Sequence, residues 1–245
     1  MIHQGTFFIY FCSLYLLLSY TSCTSTDQSA DGTHDGPIVL STWDNRDANA
    51  VAMEILLQDG QALDAIEMGV RVTEADTTDT SVGLGGLPDS SGKVTLDACI
   101  MDHKGRAGSV TYLQDFLHPI SVARRVMDST DHVMLSGDGA ASFALHQGFK
   151  KRNLLTKTAF NAWKKWKSDR NKADNHDTIG MLAIDKEGNI SGGCSTSGMA
   201  YKLPGRVGDS PIIGAGLYID NKIGGGNCHR KRRGSFKNCW LISHC

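Results

Sequence analysis

The sequence predicts an α+β protein in which antiparallel strand pairs lie against layers of helix. Three observations lead there. Residues 93–102 (KVTLDACIMD) and 107–112 are apolar runs joined by the turn His103-Lys104-Gly105-Arg106, the mark of a hairpin. Residues 179–184 and 190–198 repeat this arrangement around Asp185-Lys186-Glu187-Gly188-Asn189. Residues 48–57, 62–73, 119–129 and 137–148 carry apolar side chains at helical spacing. Hairpins beside helices argue for layered α+β packing with antiparallel pairs.

Taken in order, residues 37–43 (PIVLSTW) form a buried first strand ending at an aromatic. In the helix 48–57, Ala50, Met53, Leu56 and Leu57 line one side, and Gln58-Asp59-Gly60 ends it. In 62–73, Leu63, Ile66, Val70 and Glu67 alternate in face. Residues 83–89 (GLGGLPD) are a glycine loop. It lacks the GxGxxG order and a preceding strand, so phosphate cradling has little support. The helix 119–129 opens with Pro119, residues 132–135 are a strand, and 137–148 are a helix. Residues 149–176 change character, with Trp163 and Trp166 standing among lysines. This reads as a surface helix ending in a flexible linker, in preference to a nucleic-acid patch. Residues 212–220 (IIGAGLYID) read as a strand with close-packed glycines.

A chain of 245 residues, 40% hydrophobic, is long enough for one or two domains with a sizeable core. A net charge of -1 gives no reason to expect a nucleic-acid partner. Residues 7–18 are an apolar run followed by the small residues Thr21, Ser22, Thr24 and Ser25, which reads as a signal peptide over residues 1–24. The run is short of the roughly 20 residues a membrane span needs, so secretory-pathway entry without stable membrane association is expected. Of seven cysteines, Cys12 and Cys23 go with this segment, and Cys99 and Cys194 read as buried thiols. Cys228, Cys239 and Cys245 crowd the last stretch. No pair has metal-ligand spacing, and neither a zinc site nor a disulfide framework is supported.

The stretch richest in chemistry is 175–185 (NHDTIGMLAID), where a polar segment stops at Asp177 and an apolar strand begins. Thr178 therefore sits at the mouth of a strand, and Thr196 is placed to come near it on the next one. A threonine hydroxyl is a poor nucleophile unless a base is adjacent. If the chain broke before Thr178, its new α-amino group would supply that base. Further on, Arg206 and Asp209 lie three apart in a glycine-rich loop. A guanidinium there suits a carboxylate and Asp209 an ammonium, together a clamp for an amino-acid head group. Taken alone, the two also read as a surface ion pair.

The motifs HDTIGM (176–181), STSG (195–198) and GRVGDSPIIGAG (205–216), with STW (41–43), SVGLGG (81–86) and TLDACIMD (95–102), occur in this order. Over roughly residues 37–225 they resemble glycosylasparaginase, also called aspartylglucosaminidase. The resemblance implies an N-terminal-nucleophile hydrolase, a four-layer αββα sandwich, C-terminally truncated here. It implies a precursor that cuts itself between Asp177 and Thr178. The α chain would be residues 25–177 and the β chain would start with 178–226. The α/β heterodimer would itself pair into a larger oligomer. By the same resemblance Thr178 is the nucleophile and Thr196 supports its hydroxyl. Arg206 binds the substrate α-carboxylate, Asp209 its α-amino group, Trp43 lines the pocket and Ser81 stands behind it. The substrate would be glycosylated asparagine, cleaved at the amide joining it to N-acetylglucosamine in lysosomal glycoprotein breakdown, with no metal or organic cofactor. A plain asparaginase or isoaspartyl peptidase of the same fold would use the same groups. The remaining reading is an inactive truncated product.

Two departures stand out. Asn45 occupies the position, two after the tryptophan, where the family carries phenylalanine. After Gly225 the pattern is lost. Residues 227–245 (NCHRKRRGSFKNCWLISHC) are basic, cysteine-rich and without hydrophobic period, where the family continues with an Ala-Thr-Gly segment that completes its oxyanion hole. Codons for residues 227–235 can be chosen so that dropping the first base spells Ile-Ala-Thr-Gly-Asn-Gly-Glu-Asp. A one-base frameshift near Gly226 is therefore the expected origin of the tail. Reading the source transcript across the codons for Gly225 to Ser235 tests this. The expected result is a shifted frame encoding Ala-Thr-Gly and further family-like sequence, and its absence would refute the expectation.

Overall fold

A computed structural model describes residues 36–169, 177–230 and 236–242. In chain order these form β1 Ile38–Ser41, α1 Arg46–Leu57, α2 Ala62–Ala75, a 3-10 turn Gly83–Gly85, β2 Leu96–Met101, β3 Ala107–Leu113 and α3 Pro119–Ser129. They continue with β4 Met134–Ser136, α4 Gly137–His146, α5 Lys157–Asp169, β5 Ile179–Ile184, β6 Ile190–Thr196, β7 Leu217–Asp220, β8 Gly224–Arg230 and β9 Phe236–Ile242.

One six-stranded sheet has the order β1-β5-β6-β2-β3-β4, and a three-stranded sheet the order β7-β8-β9. Both predicted hairpins are present, as the β2/β3 and β5/β6 ladders. They are joined edge to edge by β2 against β6, which sets Asp97 opposite Thr196 and Cys99 opposite Cys194. All pairs are antiparallel except β3 with β4.

Side chains alternate across the six-stranded sheet with period two. On one face, Ala98, Ile100, Val110, Ile179 and Met181 meet Ala52 and Leu56 of α1, Ile66 and Val70 of α2, and Ile120 and Val126 of α3. On the other, Cys99, Leu182, Ile184, Ile190 and Cys194 meet Leu217, Ile219 and Ile242 of the second sheet. Both faces of β5 and β6 are covered, which is why they read as unbroken apolar runs. The described residues thus build three layers, namely helices, a large sheet and a small sheet. Among them no helix forms a layer on the outer face of the small sheet.

The two sheets approach closely where β8 passes β5. A Cβ on Gly180 would run into the amide carbon of Asn227. That amide is buried, donates to the Gly193 carbonyl at 3.2 Å and accepts from Cys194 Sγ at 3.3 Å. Strand β8 therefore passes through position 227, the start of the divergent tail. Cys228 is disulfide-bonded, which the cysteine spacing did not suggest. Cys99 and Cys194 are free and buried, as their apolar contexts predict.

The structure corrects several sequence expectations. Helix α1 buries Ala48, Ala52 and Leu56, whereas Ala50 is exposed and Leu57 is 61% exposed. The reason is close approach. A Cβ on Gly69 of α2 would lie 2.9 Å from the Ala48 carbonyl oxygen, so the face toward α2 has room for alanines. The first strand ends at Ser41, because the chain turns sharply at Trp43, whose φ is 62°. The strand predicted over 212–220 begins only at Leu217. Residues 212–216 close on themselves instead, with Ala215 and Gly216 N–H both donating to the Ile212 carbonyl at 3.0 Å. The aromatic-basic segment does form a helix, α5. Its Trp163 donates to the Ser90 carbonyl at 3.3 Å and Trp166 stacks on Tyr201 at 4.5 Å, so both indoles are structural contacts. Among the described residues no helix is long and apolar enough to cross a membrane. The expected signal segment, Cys12, Cys23, Cys245 and the linker over 170–176 lie outside them, as does the Cys239 side chain.

The phase of α1 gives a direct test. Leu56→Ala removes a fully buried side chain and is expected to cost about 2–5 kcal/mol. Leu57→Ala, one residue on, is expected to stay within about 0.5 kcal/mol. Denaturant unfolding of the two variants measures the difference.

Candidate active site

Strand pairing positions the candidate nucleophile. The β5/β6 register sets Ile179 opposite Ser195, so one step earlier Thr178 meets Thr196. Both side chains are buried, at 6% and 2% exposure. On the other side of β5, Thr42 extends the β1 pairing with its hydroxyl. It donates to the Thr178 carbonyl at 2.8 Å and accepts from Gly180 N–H at 2.9 Å. Thr178 Oγ1 lies 3.0 Å from Ser210 Oγ. Its backbone N–H donates to Asp177 Oδ1 at 2.9 Å.

Thr196 Oγ1 donates to the Asp177 carbonyl at 2.7 Å and accepts from Gly198 N–H at 2.9 Å. Its hydroxyl is thus aimed at the peptide bond that precedes Thr178. Ser81 faces this pair with its backbone. The Ser81 carbonyl accepts from Ser197 N–H and Ser197 Oγ, both at 2.7 Å, and lies 3.3 Å from Thr196 Oγ1. Its own hydroxyl donates to Asp79 Oδ1 at 2.8 Å and braces the turn.

Arg206 and Asp209 sit around this cluster. Arg206 is half-buried, with Nη1 3.2 Å from where a Cβ on Gly198 would lie. Asp209 is half-buried and directly precedes Ser210. No ion pair joins Arg206 to Asp209 among the described residues, so the surface-ion-pair alternative is not what the loop forms. Trp43 follows Thr42 at the rim and is 52% exposed. The divergent Asn45 has a structural role at this rim. Its Nδ2 donates to the Thr42 carbonyl at 2.6 Å, and its Oδ1 accepts from Thr73 Oγ1 at 3.3 Å.

Sequence reasoning missed Thr42, Ser210, Lys202 and Asp97. Thr42 and Ser210 each adjoin a residue that was singled out. Asp97 lies within the TLDACIMD motif but no role was read for it, Lys202 carried no local signal, and the two meet only through folding. Among the described residues no group of three or more His, Cys, Asp or Glu side chains is arranged to hold a metal.

Comparison with known proteins identifies the family. A family model described as Asparaginase matches residues 26–229. The N(4)-(β-N-acetylglucosaminyl)-L-asparaginase of Elizabethkingia miricola is 58% identical over 204 residues, which is 81% of this chain and 60% of that protein. The protein of the same name from Mus musculus is 39% identical over 226 residues, 77% of this chain and 65% of that one. The chain thus spans less than two thirds of the length of these curated relatives.

Behind the site, on the helix face, Ser195 Oγ donates to the fully buried Glu74 at 2.7 Å. The same oxygen accepts from Ile120 N–H at 3.0 Å, and the other faces His118 Nδ1 at 3.1 Å. Burial pushes the Glu74 carboxyl above its usual range, against the opposing pull of His118, Ser195 and Ile120. A carboxyl raised in the folded state takes up a proton more readily there than when unfolded. Its contribution to stability is therefore complete below the ordinary value near 4.5 and is lost as pH rises through the higher folded value. Glu74→Gln keeps an oxygen for Ser195 and Ile120 but does not titrate. The expected outcome is that the stability loss from pH 4.5 upward is smaller in this variant than in the parent. Unfolding free energy measured against pH in both proteins checks it.

Proposed function

The chain belongs to the asparaginase family, and from that premise we propose an autoproteolytic amidohydrolase that cleaves the bond between N-acetylglucosamine and asparagine. The observation that carries the reading is the Thr196 hydroxyl, 2.7 Å from the carbonyl oxygen of Asp177, the residue bonded to the hydroxyl-bearing Thr178. The names of the relatives supply the substrate.

In the first stage Thr178 Oγ1 attacks the Asp177 carbonyl carbon. Negative charge develops on the oxygen that Thr196 already contacts, where a preorganised donor is most effective. The carbon–nitrogen bond breaks, the Thr178 hydroxyl proton ends on the departing nitrogen, the acyl group passes from nitrogen to oxygen, and water hydrolyses the ester. The products are an Asp177 carboxylate and a Thr178 carrying a free α-amino group. Such an amine titrates near 7.7–8.0, and a low-dielectric site lowers it further. It is then the base that Thr178 otherwise lacks.

In the second stage that amine accepts the Thr178 hydroxyl proton as Oγ1 attacks the substrate amide. The amino sugar leaves, an aspartyl ester forms on Thr178, and water releases aspartate. Arg206 takes the substrate α-carboxylate, a fork-to-fork match, and Asp209 takes the α-ammonium. Trp43 covers the rim, and Ser81 holds Thr196 and Ser197 from behind. For the whole protein the reading includes the four-layer αββα sandwich, an α/β heterodimer in a larger assembly, and a secreted or lysosomal location.

Thr178→Ala is expected to run as a single band on a denaturing gel, while the parent splits in two. Thr196→Ala should slow the splitting by about 10²–10³-fold, the effect of losing one oxyanion donor. Glycosylasparagine, asparagine and a β-aspartyl dipeptide assayed side by side test the substrate. Faster turnover of asparagine or the dipeptide would move the reading to an asparaginase or isoaspartyl peptidase. Splitting of Thr178→Ala would refute it.

A further inference from the structure

We infer that Lys202 is a positioning residue that occupies Asp97, and so keeps the Arg206 guanidinium unpaired and open to the substrate carboxylate. The inference deepens the functional reading above and rests on it.

Asp97 lies on β2 opposite Thr196, fully buried. One carboxylate oxygen accepts from Tyr112 N–H at 2.8 Å, where the backbone takes a φ of 52°. The other has no hydrogen-bond partner and faces Lys202 Nζ at 3.7 Å. Lys202 is 1% exposed and its ammonium likewise has no hydrogen-bond partner. Its backbone is fixed at both groups, with N–H on the Met199 carbonyl at 3.2 Å and its carbonyl on Ser90 N–H at 2.8 Å.

Gly198 shows how close the two cations come. A Cβ there would lie 2.8 Å from Lys202 Nζ and 3.2 Å from Arg206 Nη1, so both reach the same small volume beside Thr196. Gly198 also has a φ of 72°, which favours a residue without a side chain. Asp97 lies within ion-pair distance of Lys202 alone, while Arg206 acts on it from further off and the buried Asp89 adds to the field at Lys202. Burial pushes the Asp97 carboxyl up and the Lys202 ammonium down. Whether the pair is ionic or has shared its proton, it sums to zero. The Arg206 backbone N–H donates to the Leu203 carbonyl at 3.0 Å, but its guanidinium forms no ion pair or hydrogen bond among the described residues.

A buried carboxylate without a counter-charge is costly, and a guanidinium fork is its strongest partner. Without Lys202, Asp97 would draw Arg206 inward and occupy the fork that the substrate needs. Lys202 is a point charge on a flexible stem and cannot offer that fork itself.

The test is steady-state kinetics on N4-(N-acetylglucosaminyl)-L-asparagine, with calorimetric binding of L-aspartate as a second readout. Lys202→Met is expected to raise KM by about tenfold or more with kcat within about threefold of the parent, the pattern of lost ground-state binding. Asp97→Asn combined with Lys202→Met removes the competitor and should return KM to within about threefold of the parent. A role in packing alone would not be rescued by a second core substitution. Should Lys202→Met fail to fold, Lys202→Gln carries the same expectation. An unchanged KM in the folded single variant, or no rescue in the double, overturns the inference. A parent that neither hydrolyses the substrate nor binds L-aspartate overturns the functional reading instead.

Discussion

The hydrogen bond from the Thr196 hydroxyl to the Asp177 carbonyl is the contact on which the site depends. It forms only if β5 and β6 pair in one register, since a slip by one residue would turn both threonines to the opposite face. That register is held from both sides. Ile179, Met181 and Ala183 are committed to the helices, and Leu182 and Ile184 to the small sheet. A strand buried on both faces has no alternative register that keeps its apolar side chains out of water. The hydrophobic layers thus decide the geometry of a polar contact that contributes little to the stability of the fold.

A site of hydroxyls inside a layered core has to satisfy its polar atoms locally. Thr42, Ser81, Ser197 and Ser210 do this with short contacts to backbone and to one another. Each also removes freedom from a neighbour that the chemistry uses. Thr42 fixes the backbone of Thr178, and the Ser81 carbonyl fixes Ser197 beside Thr196. The charged groups follow a different rule. Glu74 is accepted into the core because three donors face it. Asp97 and Lys202 are accepted because they compensate each other, at a distance that leaves both poorly hydrogen-bonded. Such a pair is weak evidence for stability, so its value is better sought in what it does to Arg206.

Much of the architecture was legible in the chain. Both hairpins, helix α3 to the residue and the position of Thr178 at a strand mouth follow from apolar period and turn residues. Those signals are local, because they arise from backbone geometry within a few residues. Where local bonding competes, the reading failed. Residues 212–216 look like strand by composition but satisfy their backbone in turns. The face of α1 was misjudged because hydrophobicity ranks Leu57 with Leu56, and only the proximity of α2 separates them.

The sequence by itself determined the α+β class, the hairpins and the candidates Thr178, Thr196, Arg206 and Asp209. Each of these is a statement about residue type and short-range order. Tertiary structure alone decided the edge-to-edge pairing of β2 with β6, the use of the Ser81 carbonyl in place of its hydroxyl, and the meeting of Asp97 with Lys202 beside Arg206. Those depend on which surfaces meet once both faces of the central sheet are covered. Nothing in the spacing of residues so far apart encodes that outcome, because it is set by the packing of whole layers.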